Sequence, residues 1–165
     1  MEMGRRPTKA ADNPFCKARI AAAQYNERLL SKEGASELLG VSVSTLSDYE
    51  LGLTKSIPPD MVVKMASLYN APELENHYCT EMCPLGCGMP KVELEDLDRI
   101  AIRALASFRK LDQTKEKLLD ITEDGVISED EKPDLETILS NLEELESVAQ
   151  NLKVWAKKNL DSTVN

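Results

Sequence analysis

Four side chains able to bind a soft metal fall within eleven residues: His77, Cys79, Cys83 and Cys87. Thiolates and an imidazole are zinc ligands, so a Cys3His site is one reading of this cluster. The cysteines are separated by three residues rather than two, and structural zinc usually joins two separated ligand pairs. A reduced loop in which Cys79 packs inward is therefore the favoured reading, with zinc, an iron-sulfur centre or a redox-switchable disulfide as the alternatives. A second group, Asp120, Asp124 and Glu131 with Gly125, places acids at positions one, five and twelve and a glycine at six. That is the pattern of an oxygen-donor calcium loop. Thr122 and Ile121 depart from it, and the same residues also spell an Asp-Gly turn followed by Ser128 and Glu131 as a helix capping box. With one histidine in the chain, no nucleophile, base and orienting group can be assembled. We expect no catalysis and no obligatory cofactor, zinc at the cysteines and calcium over residues 120–131 being the alternatives.

A third group has the chemistry of surface recognition. Over residues 31–52, SKEGASELLGVSVSTLSDYELG, Ser31 can cap a helix start. Ala35 and Ser36 are small where two helices approach, Leu39 faces inward, and Gly40 supplies the positive φ that ends the helix sharply. Ser42 caps the next helix, Leu46 and Tyr49 anchor it, and Gly52 closes it. This leaves Val43, Ser44, Ser47 and Asp48 on its more exposed faces.

This segment resembles the scanning helix, turn and recognition helix of the XRE/Cro-repressor family. The stretch IPPDMVVKMASLYNAPEL, residues 57–74, is similar to that family's fourth helix and the start of its fifth. The resemblance covers roughly residues 14–78. It implies an all-α, five-helix, lambda-repressor-like domain that binds double-stranded DNA, with the recognition helix in the major groove. Val43, Ser44, Thr45 and Asp48 then become base-facing residues, and Lys32 approaches phosphate. The helix departs from the strongest readers in having no Arg, Lys, Asn or Gln. Arg5, Arg6 and Lys9, together with Arg19, Arg28, Lys55 and Lys64, are the cations available for the DNA backbone.

Charge and punctuation supply the elements that must position these residues. Residues 1–72 hold 9 Lys and Arg against 8 Asp and Glu, and residues 73–165 hold 11 against 21. Nucleic-acid contacts must therefore come from the first part, and the acidic remainder suits protein contacts. Short helices are expected at about 14–29, 32–39, 43–50, 59–70 and 72–79. The Pro, Gly and Cys cluster over 81–91 reads as a linker.

Beyond it, Leu94, Leu97, Ala101, Ala104, Phe108 and Leu111, widened by Ile100 and Leu105, predict one helix over about 92–119. Leu135, Ile138, Leu142, Leu145, Ala149, Leu152 and Ala156 predict a second with a coiled-coil seam. The turn at residues 123–125 folds them into an antiparallel hairpin. We expect two hairpins to pair into a four-helix bundle, with Leu97, Phe108, Leu135, Ile138, Leu142, Leu145 and Leu152 at the homodimer contact. The division is then an arm at 1–13, a DNA-binding domain at 14–80, the linker, a hairpin at 92–160 and a tail at 161–165.

No apolar run reaches the length of about 18 residues that a membrane span needs, and the first residues lack the apolar core of a secretory signal, so a cytoplasmic protein is expected. The function expected is a sequence-specific DNA-binding repressor of phage or mobile-element type. The rivals are a protein-interaction adaptor or antirepressor on the same fold, and a metal or redox sensor acting through Cys79, Cys83 and Cys87.

Overall fold

The computed structural model describes residues 12–86, 88–123 and 125–160. Among these every regular element is helical, as expected. The chain divides into two compact units, Met1–Cys87 and Gly88–Asn165.

In the first unit α1 spans Pro14–Ala22; Asn13 caps it by accepting from the Phe15 N–H at 2.9 Å. It is shorter than the 14–29 expected from apolar spacing. Asn26 breaks it: the backbone there is extended, and its side chain accepts from the Arg28 N–H at 3.2 Å, opening a separate 3-10 turn at Glu27–Leu30. An asparagine that satisfies a local N–H competes with helix continuation. Helices α2 (Lys32–Leu39) and α3 (Val43–Leu51) fall where expected. Helix α4 (Pro59–Leu68) starts at its proline, and α5 (Glu73–His77) runs on into a wider turn at Tyr78–Met82. Leu29, Leu39, Leu46, Ile57, Met65 and Leu74 are almost fully buried at the centre. Helices this short are marginal in isolation, so the shared core holds them.

The second unit is a hairpin of α6 (Leu97–Ile121) and α7 (Lys132–Leu160). The side-chain pairs run in opposite directions along the two helices: Lys117 with Asp134, Asn141 donating to Thr114 at 2.9 Å, and Lys110 with Glu144 at 2.5 Å. The hairpin is therefore antiparallel, as the turn signal indicated.

Two expectations are corrected. Helix α6 begins at Leu97 and not near 92: Asp96 is extended, and the preceding segment is tied by its Glu93 N–H to Asn151 Oδ1 at 2.9 Å. The buried row of α6 is Ile100, Ser107, Thr114 and Ile121, at a strict spacing of seven, facing a row on α7 that includes Ile138 and Val148. Phe108 is instead 53% exposed, and Leu97, Leu105, Leu142 and Leu152 are also exposed, while Ile138 is 1% exposed inside the unit. A heptad row with Ser and Thr at its two middle positions does not show as an apolar stripe; of the residues expected at the homodimer contact, Ile138 is the one corrected, being buried inside the unit, while Leu97, Phe108, Leu142 and Leu152 stay on exposed faces.

The turn before α7 differs as well. Glu131 reaches back to Ser128, accepting from its N–H and its hydroxyl, each at 2.7 Å, but the helix starts only at Lys132, with Pro133 in its first turn. Half of the capping box forms, one turn ahead of the helix. Glu131, the twelfth position of the calcium-loop pattern, is thereby engaged; Asp124 lies outside the described residues.

Tyr69 is 4% exposed, and among the described residues its hydroxyl has no hydrogen-bond partner. Leaving such a group unsatisfied costs on the order of 1–3 kcal/mol. Tyr69→Phe is therefore expected to stabilise the first unit, by about 1 kcal/mol or more in urea denaturation. Burial pushes the Tyr69 pKa up, with Glu50 adding to the rise. The folded state thus keeps this proton while the unfolded chain loses it. Stability should be intact below the ordinary tyrosine pKa, near 10, and fall above it; Tyr69→Phe should flatten that part of the alkaline loss.

Candidate nucleic-acid interface

Helices α2 and α3 meet at a sharp corner. Gly40 closes α2 at φ 74°, where a side chain would be strained. Its N–H and that of Val41 both donate to the Ser36 carbonyl, at 2.8 and 3.0 Å, and Lys64 Nζ donates to the Leu39 carbonyl at 2.6 Å. The open carbonyls of the helix end are thereby satisfied. Ser42 then caps α3, accepting from the Thr45 N–H at 3.0 Å, and the two hydroxyls share a bond of 2.8 Å. At the start of α2, Ser31 accepts from the Gly34 N–H at 3.0 Å. A Cβ on Gly34 would lie 2.2 Å from the Arg28 carbonyl oxygen, so only glycine allows this approach.

What orients α3 is a buried ion pair. Glu50 follows Leu46 and Tyr49 on the inward face and is 0% exposed. Arg19 of α1, 4% exposed, meets it in bidentate fashion: Nε to Oε1 at 2.5 Å and Nη2 to Oε2 at 3.1 Å. The remaining Arg19 nitrogen donates to the Leu29 and Leu30 carbonyls at 2.7 and 3.1 Å. One guanidinium thus ties α1, the 3-10 turn and α3 together, and planar bidentate geometry fixes direction as well as distance. Hydrogen bonding to Glu50 raises the Arg19 pKa above its ordinary value. Beside it, burial and then the Glu50 charge push the Cys16 thiol up, keeping it protonated and unreactive. Lys32 completes the cluster, with Nζ 3.7 Å from Glu50 Oε2 and donating to Ser47 Oγ at 3.1 Å.

Residues 22–76 match the family model described as helix-turn-helix. This segment is a helix-turn-helix domain of the XRE/Cro type. The same comparisons found no match to a curated protein or to a solved structure. The second unit lies outside the matched residues. So does Arg19, although its partner Glu50 lies within them.

The domain places Val43 and Ser44 on the exposed N-terminal turn of α3, with Thr45 and Asp48 half-buried behind them. A valine can meet a thymine methyl and a serine can donate or accept, whereas the Thr45 hydroxyl is already shared with Ser42. Lys55 is exposed on the loop after α3. Lys32 remains about one-third exposed while serving the cluster around Glu50. Arg5, Arg6 and Lys9 lie outside the described residues.

One cation expected on the surface is corrected: Arg19 is buried and cannot reach a phosphate. Arg28 is exposed, where it pairs with Glu37. A signal for the burial of Arg19 was present: a carboxylate at position 50, four residues after Leu46 and one after Tyr49, falls on an apolar stripe and requires a buried cation.

Among the described residues the soft-ligand cluster is not brought together. His77 packs its ring edge-on against Phe15 at 5.9 Å, Cys79 and Cys83 are half-buried thiols, and Cys87 lies outside the described residues. Among the described residues no three His, Cys, Asp or Glu side chains gather as a metal set.

Glu50→Ala leaves a buried arginine unpaired, which typically costs 3–5 kcal/mol. The expected outcome is a loss of about that size in chemical denaturation. Glu50→Gln, which keeps an acceptor for Arg19, should lose clearly less. Equal losses would mean that the pair's charge is not what holds α3.

Proposed function

We propose that this chain is a sequence-specific transcriptional repressor that binds operator DNA as a homodimer. The helix-turn-helix domain supports DNA binding by the type of regulator to which it belongs. The observation that carries the finer reading is the exposure of Val43 and Ser44 at the leading turn of a recognition helix locked by Arg19 and Glu50. Phosphates would be met by Lys55, by Lys32 and by Arg5 and Arg6 of the N-terminal arm. A phage or mobile-element setting is the one the resemblance implies.

Dimerisation is supported by the hairpin's second face. On α6, Ala101, Leu105 and Phe108 lie across the buried row from Lys110 and Lys117. On α7, Leu135, Leu142 and Ala149 lie across it from Glu144. One flank is thus ion-paired, and the other carries these apolar side chains, with Asp112 and Lys115 further along it. A second copy, turned by a twofold axis, would cover the apolar flank and complete a four-helix bundle. Modest readout by serine, threonine and valine makes such pairing of half-sites valuable, because two weak contacts joined rigidly act as one strong one.

A second reading is favoured by one feature. Helix α3 has no Arg, Lys, Asn or Gln, and residues 73–165 are strongly acidic, as suits an adaptor or antirepressor that no longer reads DNA.

Selection of the purified protein against random duplexes at low and physiological salt decides between them. Enrichment of a twofold-related half-site pair supports the repressor, and no enrichment at either salt supports the adaptor. On an enriched site, Lys55→Ala should weaken binding uniformly across sequences and reduce the salt slope by about 1. Phe108→Glu with Leu142→Glu should halve the mass seen by light scattering while leaving helix content unchanged.

A further inference from the structure

Beside its buried row, helix α6 carries a second row on the flank away from Lys110 and Lys117. Leu105, Phe108, Asp112, Lys115, Leu119 and Thr122 follow one another at alternating steps of three and four, the spacing of a coiled-coil seam, and all are exposed. Leu105, Phe108 and Leu119 are 60%, 53% and 63% exposed. A row of exposed apolar side chains along one helix face marks a contact surface. At the middle of the row stand an acid and a base. An apolar partner laid over this face would bury both charges uncompensated, which is strongly unfavourable. The partner must therefore bring a base to Asp112 and an acid to Lys115, in the opposite order along its own helix.

A second copy of α6 running antiparallel does so. A twofold axis crossing α6 between Gln113 and Thr114 sets Asp112 against the partner's Lys115, and Lys115 against the partner's Asp112. The same axis sets Phe108 against the partner's Leu119 and Leu105 against the partner's Thr122. Helix α7 agrees with this level. Asn141 bonds Thr114 across the hairpin, so the axis passes α7 beside the exposed Leu142, which there meets the partner's Leu142. Other stackings fail on the two charges. A parallel pair of α6 helices would face acid with acid and base with base. Stacking α6 on the partner's α7 would leave Asp112 unpaired, because α7 has no Lys or Arg between residues 133 and 152. We infer that Asp112 and Lys115 are the pair by which this chain selects a second copy of itself, holding α6 antiparallel to the partner's α6 across the twofold axis; this rests on the reading of the hairpin as the homodimer contact. Charged groups within a seam contribute little net attraction, but they fix direction and register by penalising every other pairing.

The test uses the full chain and three variants: Asp112→Lys, Lys115→Asp, and the double swap that combines them. Both positions are exposed, so helix content by circular dichroism should not change. Each single change sets like charges against each other and should weaken the dimer by about tenfold or more in sedimentation equilibrium. The double swap restores both pairs and should dimerise as the unaltered chain does. Mixing then reads the direction. When the unaltered chain, labelled with nitrogen-15, exchanges with the double swap, native mass spectrometry should find the two homodimers and almost no mixed dimer, because a mixed antiparallel pair faces acid with acid and base with base.

A parallel pair gives the opposite result, a preference for mixed dimers. That preference, mixed dimers in statistical proportion, or single changes without effect on a stable dimer would overturn the antiparallel pairing through these two residues and leave the homodimer standing. A monomeric unaltered chain would instead overturn the homodimer reading, and the pairing with it.

Discussion

The first unit depends on one guanidinium. Arg19 leaves α1 and enters a space bounded by the Glu50 carboxylate and the carbonyls of Leu29 and Leu30. Those carbonyls belong to the turn created when Asn26 stops α1, so the break in the helix and the burial of the arginine are parts of one arrangement. If either were missing, a charged group would be buried without its partners, at a cost comparable to a large fraction of the net stability of a small domain. The geometry also has a functional result. Glu50 lies near the end of α3 and the exposed residues Val43 and Ser44 lie at its start, so fixing the inward end of this short rod sets where the outward end points.

The second unit is held differently. Its interior row carries Ser107 and Thr114 between Ile100 and Ile121, and Asn141 bonds Thr114 across the hairpin. Polar groups at core positions of paired helices contribute little net stability, but they penalise any shift of one helix along the other. The apolar side chains that would have made a stronger internal seam are instead displayed on the flank away from Lys110 and Glu144. The same pattern appears at the hairpin root, where the Asn151 oxygen accepts from the Glu93 N–H and its nitrogen has no partner among the described residues.

Much of this was legible in the residues themselves. Ser31, Gly40, Ser42 and Gly52 bound two helices correctly because caps and positive-φ positions are local: each acts on backbone groups within a few residues. The inward direction of Leu46 and Tyr49, the helical class and the antiparallel hairpin follow equally from local spacing and a turn. The resemblance to a helix-turn-helix rested on that same local pattern, which is why it corresponds to the segment that the family model matches.

Tertiary structure alone decided which face of each long helix is interior, which cations are spent on the fold and where α1 stops. Arg19 and Arg28 are both arginines on or near short helices, and only a partner thirty-one residues away in one case, and nine in the other, separates a buried strut from a surface ion pair. Ile100 and Phe108 both belong to an apolar stripe, and only the opposing helix selects between them. Periodicity states that a helix has an apolar face, but burial is a property of pairs of surfaces, and the second surface is chosen by distant residues. The amide of Asn151 is the clearest instance: its chemistry is written in one letter, and the neighbour that takes up its oxygen is fifty-eight residues away in the chain.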